Sequence, residues 1–148
     1  MFRGLNKISF DTKGRISIPT KYRDELLKIS KKKLICTIDI DYCLLLYPLS
    51  GWLKIEEQIM RLPTLNATSR KLQRLLVGHA TDIDMDKSGR VLIPSELREF
   101  SMINKEAMLI GQGNRFEIWD YSRWTKLREK WLKSDKFSLP KEFEGLTF

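Results

Sequence analysis

Residues 11–23 read Asp11-Thr12-Lys13-Gly14-Arg15-Ile16-Ser17-Ile18-Pro19-Thr20-Lys21-Tyr22-Arg23, and residues 86–98 read Asp86-Lys87-Ser88-Gly89-Arg90-Val91-Leu92-Ile93-Pro94-Ser95-Glu96-Leu97-Arg98. The two stretches lie 75 residues apart, and Asp, Gly, Arg, Ile, Pro and the final Arg are identical. The register extends backwards, pairing Ile8 with Ile83 and Phe10 with Met85. It extends forwards at an offset of 72, placing Leu44–Tyr47 on Phe116–Trp119 and Trp52 on Trp124. Chance can supply Asp-x-x-Gly-Arg twice, but not the flanking aromatic register as well. The chain reads as an internal duplication.

Each copy follows the same physical plan. Ile8 and Phe10 alternate with Lys7, Ser9 and Asp11, the period of a half-buried strand. Asp-x-x-Gly is turn chemistry: Asp11 and Asp86 suit nearby backbone amides, and Gly14 and Gly89 tolerate positive φ. Alternation then resumes, with Ile16 and Ile18 on one face and Arg15 and Ser17 on the other. Pro19 suits the first turn of a helix whose apolar stripe is Tyr22, Leu26, Leu27 and Ile29. Val91, Ile93, Pro94, Leu97 and Phe100 repeat that plan. Two more strands are expected in each copy, Leu34–Ile38 with Cys43–Tyr47 and Ala107–Ile110 with Arg115–Trp119.

Helices close the copies, because Trp52, Ile55, Ile59 and again Trp124, Leu127, Trp131 recur at i, i+3, i+7. Between them, Thr68 or Ser69 is placed to cap a helix with Leu72, Leu75 and Leu76 inward and Arg70, Lys71 and Arg74 outward. A unit below ~70–80 residues is marginal alone, so the copies should pack on each other. The expected class is α+β, a pseudo-twofold β core with peripheral helices. The expected divisions are a first repeat over 5–51, linking helices over 52–79, a second repeat over 80–123, and a C-terminal helix and tail over 124–148. The tail carries Phe137, Phe143 and Phe148 without a period, and is expected to dock loosely.

Composition limits the function. The 148 residues carry 31% charged and 42% apolar side chains, as a soluble globular protein does. A net charge of +8 favours anionic partners. Nucleic acid, phosphorylated ligands and acidic membrane surface all fit that charge. No stretch approaches the ~20 apolar residues of a membrane span, and no membrane partner is expected. The opening Met1–Lys7 lacks the layout of a signal peptide. Cys36 and Cys43 are too few for a disulfide scaffold or a structural zinc. A reduced, cytoplasmic setting is expected. His79 is the one histidine, which removes paired His ligands, and there is no phosphate loop. Gly111-Gln112-Gly113-Asn114 reads as a hairpin turn. No catalytic residue, cofactor, metal or small-molecule substrate is expected.

Arg15 and Arg90 stand out, each leaving a tight turn on the face opposite its apolar pair, with Lys13 or Lys87 beside it. Arginine offers a rigid fork of donors matched to phosphate or to guanine O6 and N7. The plain alternative is an Asp–Arg pair that only stiffens the turn, and exposed pairs are worth ~0–1 kcal/mol. Retention of the same chemistry in both copies of a basic chain favours the binding role. Lys31-Lys32-Lys33 reads as a solvated loop, His79 as structural or exposed, and the four tryptophans as core. Arg23 and Arg98, four residues after each Pro, are candidates for pairing locally or with a neighbouring subunit.

These residues resemble a known family. The two Asp-x-x-x-Arg motifs, Asp11–Arg15 and Asp86–Arg90, are similar to the signature of the MraZ family in the AbrB/SpoVT-like superfamily. Met1-Phe2-Arg3-Gly4, Leu44–Pro48, Gln73–Ala80 and Phe116–Asp120 resemble it too, so the likeness extends to about Leu132. It implies a β-barrel core from two AbrB-like repeats and a ring-shaped homo-oligomer. It implies a nucleoid-associated transcriptional repressor that binds direct repeats of double-stranded DNA, including its own promoter, upstream of a bacterial division and cell-wall gene cluster. It places the DNA-facing residues at Arg15, with Lys13, and by the repeat at Arg90, with Lys87. Asp11, Gly14, Asp86 and Gly89 are then the structural turn residues. The competing reading is an oligomeric protein-interaction scaffold with an incidental phosphate-binding face. A phosphate-ester enzyme using Asp11 and Arg15 ranks last, because no metal cluster or base accompanies them.

Overall fold

The computed structural model describes residues 1–134 and 140–146. Strands β1 (Phe2–Ser9), β3 (Lys33–Ile38), β4 (Leu44–Pro48), β5 (Thr81–Asp84), β7 (Glu106–Gly113) and β8 (Phe116–Asp120) form one antiparallel sheet. Their order is β1-β7-β8-β4-β3-β5, and β2 (Arg15–Ser17) and β6 (Arg90–Leu92) make a separate two-stranded ribbon. The pairing crosses between the copies. β1 lies on β7, with Ile8 opposite Ala107, and the equivalent β5 lies on β3, with Ile83 opposite Leu34. β4 meets β8 through Leu44 and Ile118.

The sheet is open, so the expected closed barrel is not what the chain builds. The ladder ends where β1 and β5 each run into a tight turn that diverts the chain into the ribbon. On β1 the Tyr22 hydroxyl donates to the Arg3 carbonyl at 2.6 Å, taking an acceptor that a further strand would need. On β5 the exposed Asp82 and Asp84 discourage pairing, as charges on edge strands do.

Apolar runs in the sequence become strands covered on both faces, which is why they do not alternate. The inner face of the sheet, with Leu34, Cys36, Leu46, Leu109, Phe116 and Ile118, packs on Ile16, Ile18, Val91 and Ile93. Helix α1 (Thr20–Ser30) adds Tyr22 and Leu26, and α4 (Ser95–Phe100) adds Leu97. On the outer face, Ile35, Leu45 and Tyr47 lie under Trp52 of α2 (Leu49–Met60). Met108, Ile110 and Trp119 lie under Trp124 and Leu127 of α5 (Tyr121–Lys133).

Several local expectations shift. Leu27 and Ile29 are exposed, because α1 lies at the end of the core and buries only the row through Tyr22 and Leu26. Asn66, not Thr68 or Ser69, caps α3 (Ala67–Leu72), its side chain accepting from the Ser69 N–H at 3.1 Å. The chain then continues as a π-helical turn over Gln73–Val77, which leaves Leu75 exposed while Leu76 packs inward. Trp52 and Trp119 are core, but Trp131 is exposed beyond the sheet, edge-on to Trp124 at 5.9 Å. In the tail, Phe143 is exposed, while Phe137 and Phe148 lie outside the described residues.

Phe116 is fully buried, with the Phe2 and Tyr22 rings 4.3 and 4.9 Å from its own. Phe116→Ala should therefore cost about 3–5 kcal/mol of stability in urea denaturation. Leu27→Ser, on the exposed side of α1, should stay within about 0.5 kcal/mol of the wild type.

Candidate nucleic-acid interface

The Asp11 carboxylate organises its turn. Its Oδ1 accepts the backbone N–H of Lys13 and of Arg15, both at 2.9 Å, and its Oδ2 accepts Arg15 Nε at 2.8 Å. Gly14, at φ +84°, completes the turn by donating to the Asp11 carbonyl. Asp86 repeats this with Ser88 N–H at 2.8 Å, Arg90 N–H at 2.9 Å and Arg90 Nε at 3.3 Å, and Gly89 takes φ +77°. The Arg15 backbone N–H is the main reason the Asp11 carboxyl is held down at about 2, against a smaller opposing push from desolvation. Asp86 is lowered too, again chiefly by the N–H of Arg90.

The turns feed the ribbon, where Arg15 lies opposite Leu92, Ile16 opposite Val91 and Ser17 opposite Arg90. Directly opposed residues share a face, so Ile16 and Val91 point into the core while Arg15, Ser17, Arg90 and Leu92 share the outer face. The arginine of one copy thus sits diagonally across from that of the other. Each has its Nε turned back to a carboxylate, and about a third of each side chain is exposed. Lys13 and Lys87 are exposed on the turns themselves, and neither joins an ion pair among the described residues. Lys87 occupies the place of Thr12, so the two turns present their lysines one residue apart.

Arg23 and Arg98 are more deeply involved than local pairing would make them. Arg23 Nε donates to the Ile18 carbonyl at 2.7 Å, and its guanidinium lies over Gly89 of the other copy. Arg98 Nε donates to the Ile93 carbonyl at 3.2 Å, and its guanidinium lies over Gly14. The repeat singles both out, each following its motif arginine by eight residues, but not the opposite copy as their partner. Of the lysine run, Lys33 already belongs to β3, and the Lys31–Lys32 turn before it is tied to the second motif, because Met85 N–H donates to the Lys32 carbonyl at 3.0 Å.

The remaining candidates stand apart. Gly111–Asn114 forms the β7–β8 hairpin, with Gln112 N–H bonded to the Arg115 carbonyl. His79 is exposed, its Nδ1 2.8 Å from the Leu75 carbonyl. Burial pushes the Cys36 thiol up to about 12 and raises that of Cys43, so neither is a reactive thiolate. No His, Cys, Asp and Glu cluster among the described residues could hold a metal ion.

Asp11 takes up a proton below about pH 4 in the unfolded chain, but only near 2 in the folded one. Its contribution to stability is therefore complete above about pH 4 and is lost as the pH falls towards 2. Asp11→Asn should lower the urea midpoint at neutral pH, with the gap to the wild type closing across that acid window. A gap unchanged at pH 2 would show that carboxylate charge does not hold the turn.

Comparison with known proteins adds the family. The model described as "MraZ protein, putative antitoxin-like" matches residues 1–75 and again 76–143. A transcriptional regulator MraZ of Legionella pneumophila (strain Corby) is 48% identical over 136 residues, covering 91% of this chain and 90% of its own. Its namesake in Thioalkalivibrio sulfidiphilus is 45% identical over 135 residues, with 91% and 90% covered. That of Alkalilimnicola ehrlichii is 43% identical over 149 residues, with 99% of each chain covered. Matched in both halves and over nearly its whole length, the chain belongs to the MraZ family.

Proposed function

We propose that the outer face of the β2–β6 ribbon is the DNA-contacting surface of a sequence-specific transcriptional repressor. The observation that carries this reading is the placement of Arg15 and Arg90 on one ribbon face, each with Nε tied to a carboxylate. The carboxylate orients the guanidinium, and its remaining N–H donors suit a bidentate grip on phosphate or on guanine O6 and N7. A two-stranded ribbon fits the major groove. Lys13 and Lys87 add phosphate contacts beside it, and a net charge of +8 draws the duplex in. The relatives' shared name, transcriptional regulator, supports the same role.

The rest of the reading follows from the resemblance. Two AbrB-like halves, residues 5–51 and 80–123, are joined by helices and make one subunit of a ring-shaped homo-oligomer. The ring presents several ribbons to direct repeats in double-stranded DNA upstream of a division and cell-wall gene cluster, its own promoter included. The protein works by binding, without catalysis, in the cytoplasm at the nucleoid.

The test is a gel-shift and titration series on the gene's own upstream region with competitor DNA. The wild type should prefer that region to random duplex, and log affinity should fall against log salt with a slope of about −0.9 per phosphate neutralised. Arg15→Ala should cost about 1–3 kcal/mol per contact while leaving the melting temperature and the oligomer's mass unchanged. Arg15→Lys should also fail, because an ammonium cannot reproduce the fork. Equal, weak binding to both DNAs would favour the interaction scaffold instead. Normal operator binding by Arg15→Ala would make the turn arginine structural.

A further inference from the structure

The glycine before each motif arginine is held from two sides by the opposite copy. The Gly89 carbonyl accepts the Ile18 N–H at 2.8 Å, and the Arg23 guanidinium covers its Cα so closely that a methyl there would overlap it. The Gly14 carbonyl accepts the Ile93 N–H at 3.0 Å, and a methyl on Gly14 would sit 2.8 Å from the Arg98 guanidinium carbon. Arg98 also lies over the Phe10 ring, 5.9 Å from its centroid, so it touches the first motif on both sides of the turn. Each of these arginines is anchored at its stem by its own copy, through Nε to Ile18 or Ile93, and spends its planar end on the other.

We infer that the two motif sites are composite: Arg98 positions the Asp11–Arg15 turn, and Arg23 positions the Asp86–Arg90 turn. The physical argument is the neighbourhood of the glycine. Positive φ at Gly14 and Gly89 is one of many conformations open to a residue without Cβ. The Asp bonds to the Arg N–H and carbonyl close the turn around the glycine but leave its Cα uncovered. A rigid guanidinium laid on the glycine, with its carbonyl bonded on the other side, removes that freedom immediately before Arg15 or Arg90. The direction and splay of each motif arginine then depend on the other copy as well as on the carboxylate of its own. The two sites cannot be separated by cutting the chain between the repeats, because each lacks a part the other half supplies. Arg23 and Arg98 are positioning residues, and their assignment to DNA binding rests on the reading proposed above.

A set of double-mutant cycles tests the crossed pairing. Affinity for the upstream DNA is measured with Arg15→Ala, Arg90→Ala, Arg23→Ala, Arg98→Ala and their doubles. Arg98→Ala combined with Arg15→Ala should weaken binding by less than the product of the single effects, because a motif without its arginine has nothing left to position. Arg23→Ala with Arg90→Ala should behave likewise. The same-copy pairs, Arg23 with Arg15 and Arg98 with Arg90, should multiply. Coupling within a copy, or none in any pair, overturns the inference.

A second readout does not need DNA. By NMR, Arg98→Ala and Arg98→Lys should move the Arg15 Nε–H and Gly14 amide signals and raise the measured Asp11 pKa, leaving Arg90, Gly89 and Asp86 in place. Arg23 variants should do the reverse. Failure of the wild type to prefer its upstream DNA would defeat the DNA-binding reading alone. NMR changes confined to the variant's own copy would defeat the crossed positioning. Either lysine variant keeps the positive charge, so a variant that folds poorly as alanine still has a counterpart to be read.

Discussion

Two carboxylates, those of Asp11 and Asp86, impose the constraint on which the other features of the molecule depend. Each gathers two backbone N–H groups around itself, and so converts a strand into a tight turn, and it holds the motif guanidinium beside them. That turn ends the first strand of each copy and starts the ribbon. Without it β1 would run straight past the core, and Ile16, Ile18, Val91 and Ile93 would lose the position from which they fill the inner face of the sheet. The same bonds that shape the chain also orient the arginine. Structure and candidate function share one set of atoms.

Crossing of the copies is the second organising feature. Neither half could bury its sheet face alone, and the chain solves this by pairing the first strand of each copy with the third strand of the other. The ribbon is a further crossed pair, as is the clasp of Arg23 on Gly89 and Arg98 on Gly14. Interleaving at this level places both motif arginines on one face of one small ribbon. It also leaves two sheet edges, one capped by Tyr22 and the other defended by Asp82 and Asp84.

Much of this was legible in the amino-acid order because it rests on local physics. Asp-x-x-Gly announces a turn wherever it occurs, since the carboxylate's reach to amides two and four residues on is set by bond geometry. The strands Leu34–Ile38 and Cys43–Tyr47, and their counterparts, show as apolar runs bounded by polar residues. The i, i+3, i+7 spacing of Trp52, Ile55 and Ile59 marks α2. Repetition supplied what a lone sequence usually lacks, a second copy against which to judge which residues matter.

Tertiary structure alone decided what depends on distance through space. Whether the strands close into a barrel depends on what occupies the edges of β1 and β5, and the Tyr22 hydroxyl reaches Arg3 from a helix 19 residues on. The exposure of Leu27, Ile29 and Trp131 follows from how far the core extends beneath their helices, which no periodicity records. Arg23 and Arg98 stand out in the repeat as pairing candidates, but their partners, the glycines of the opposite copy, appear only when that copy is folded beneath them. Local bonding by Asp11 and Asp86 could be read from neighbours in the chain. The partners of Gly14 and Gly89 lie many residues away, and only packing brings them together.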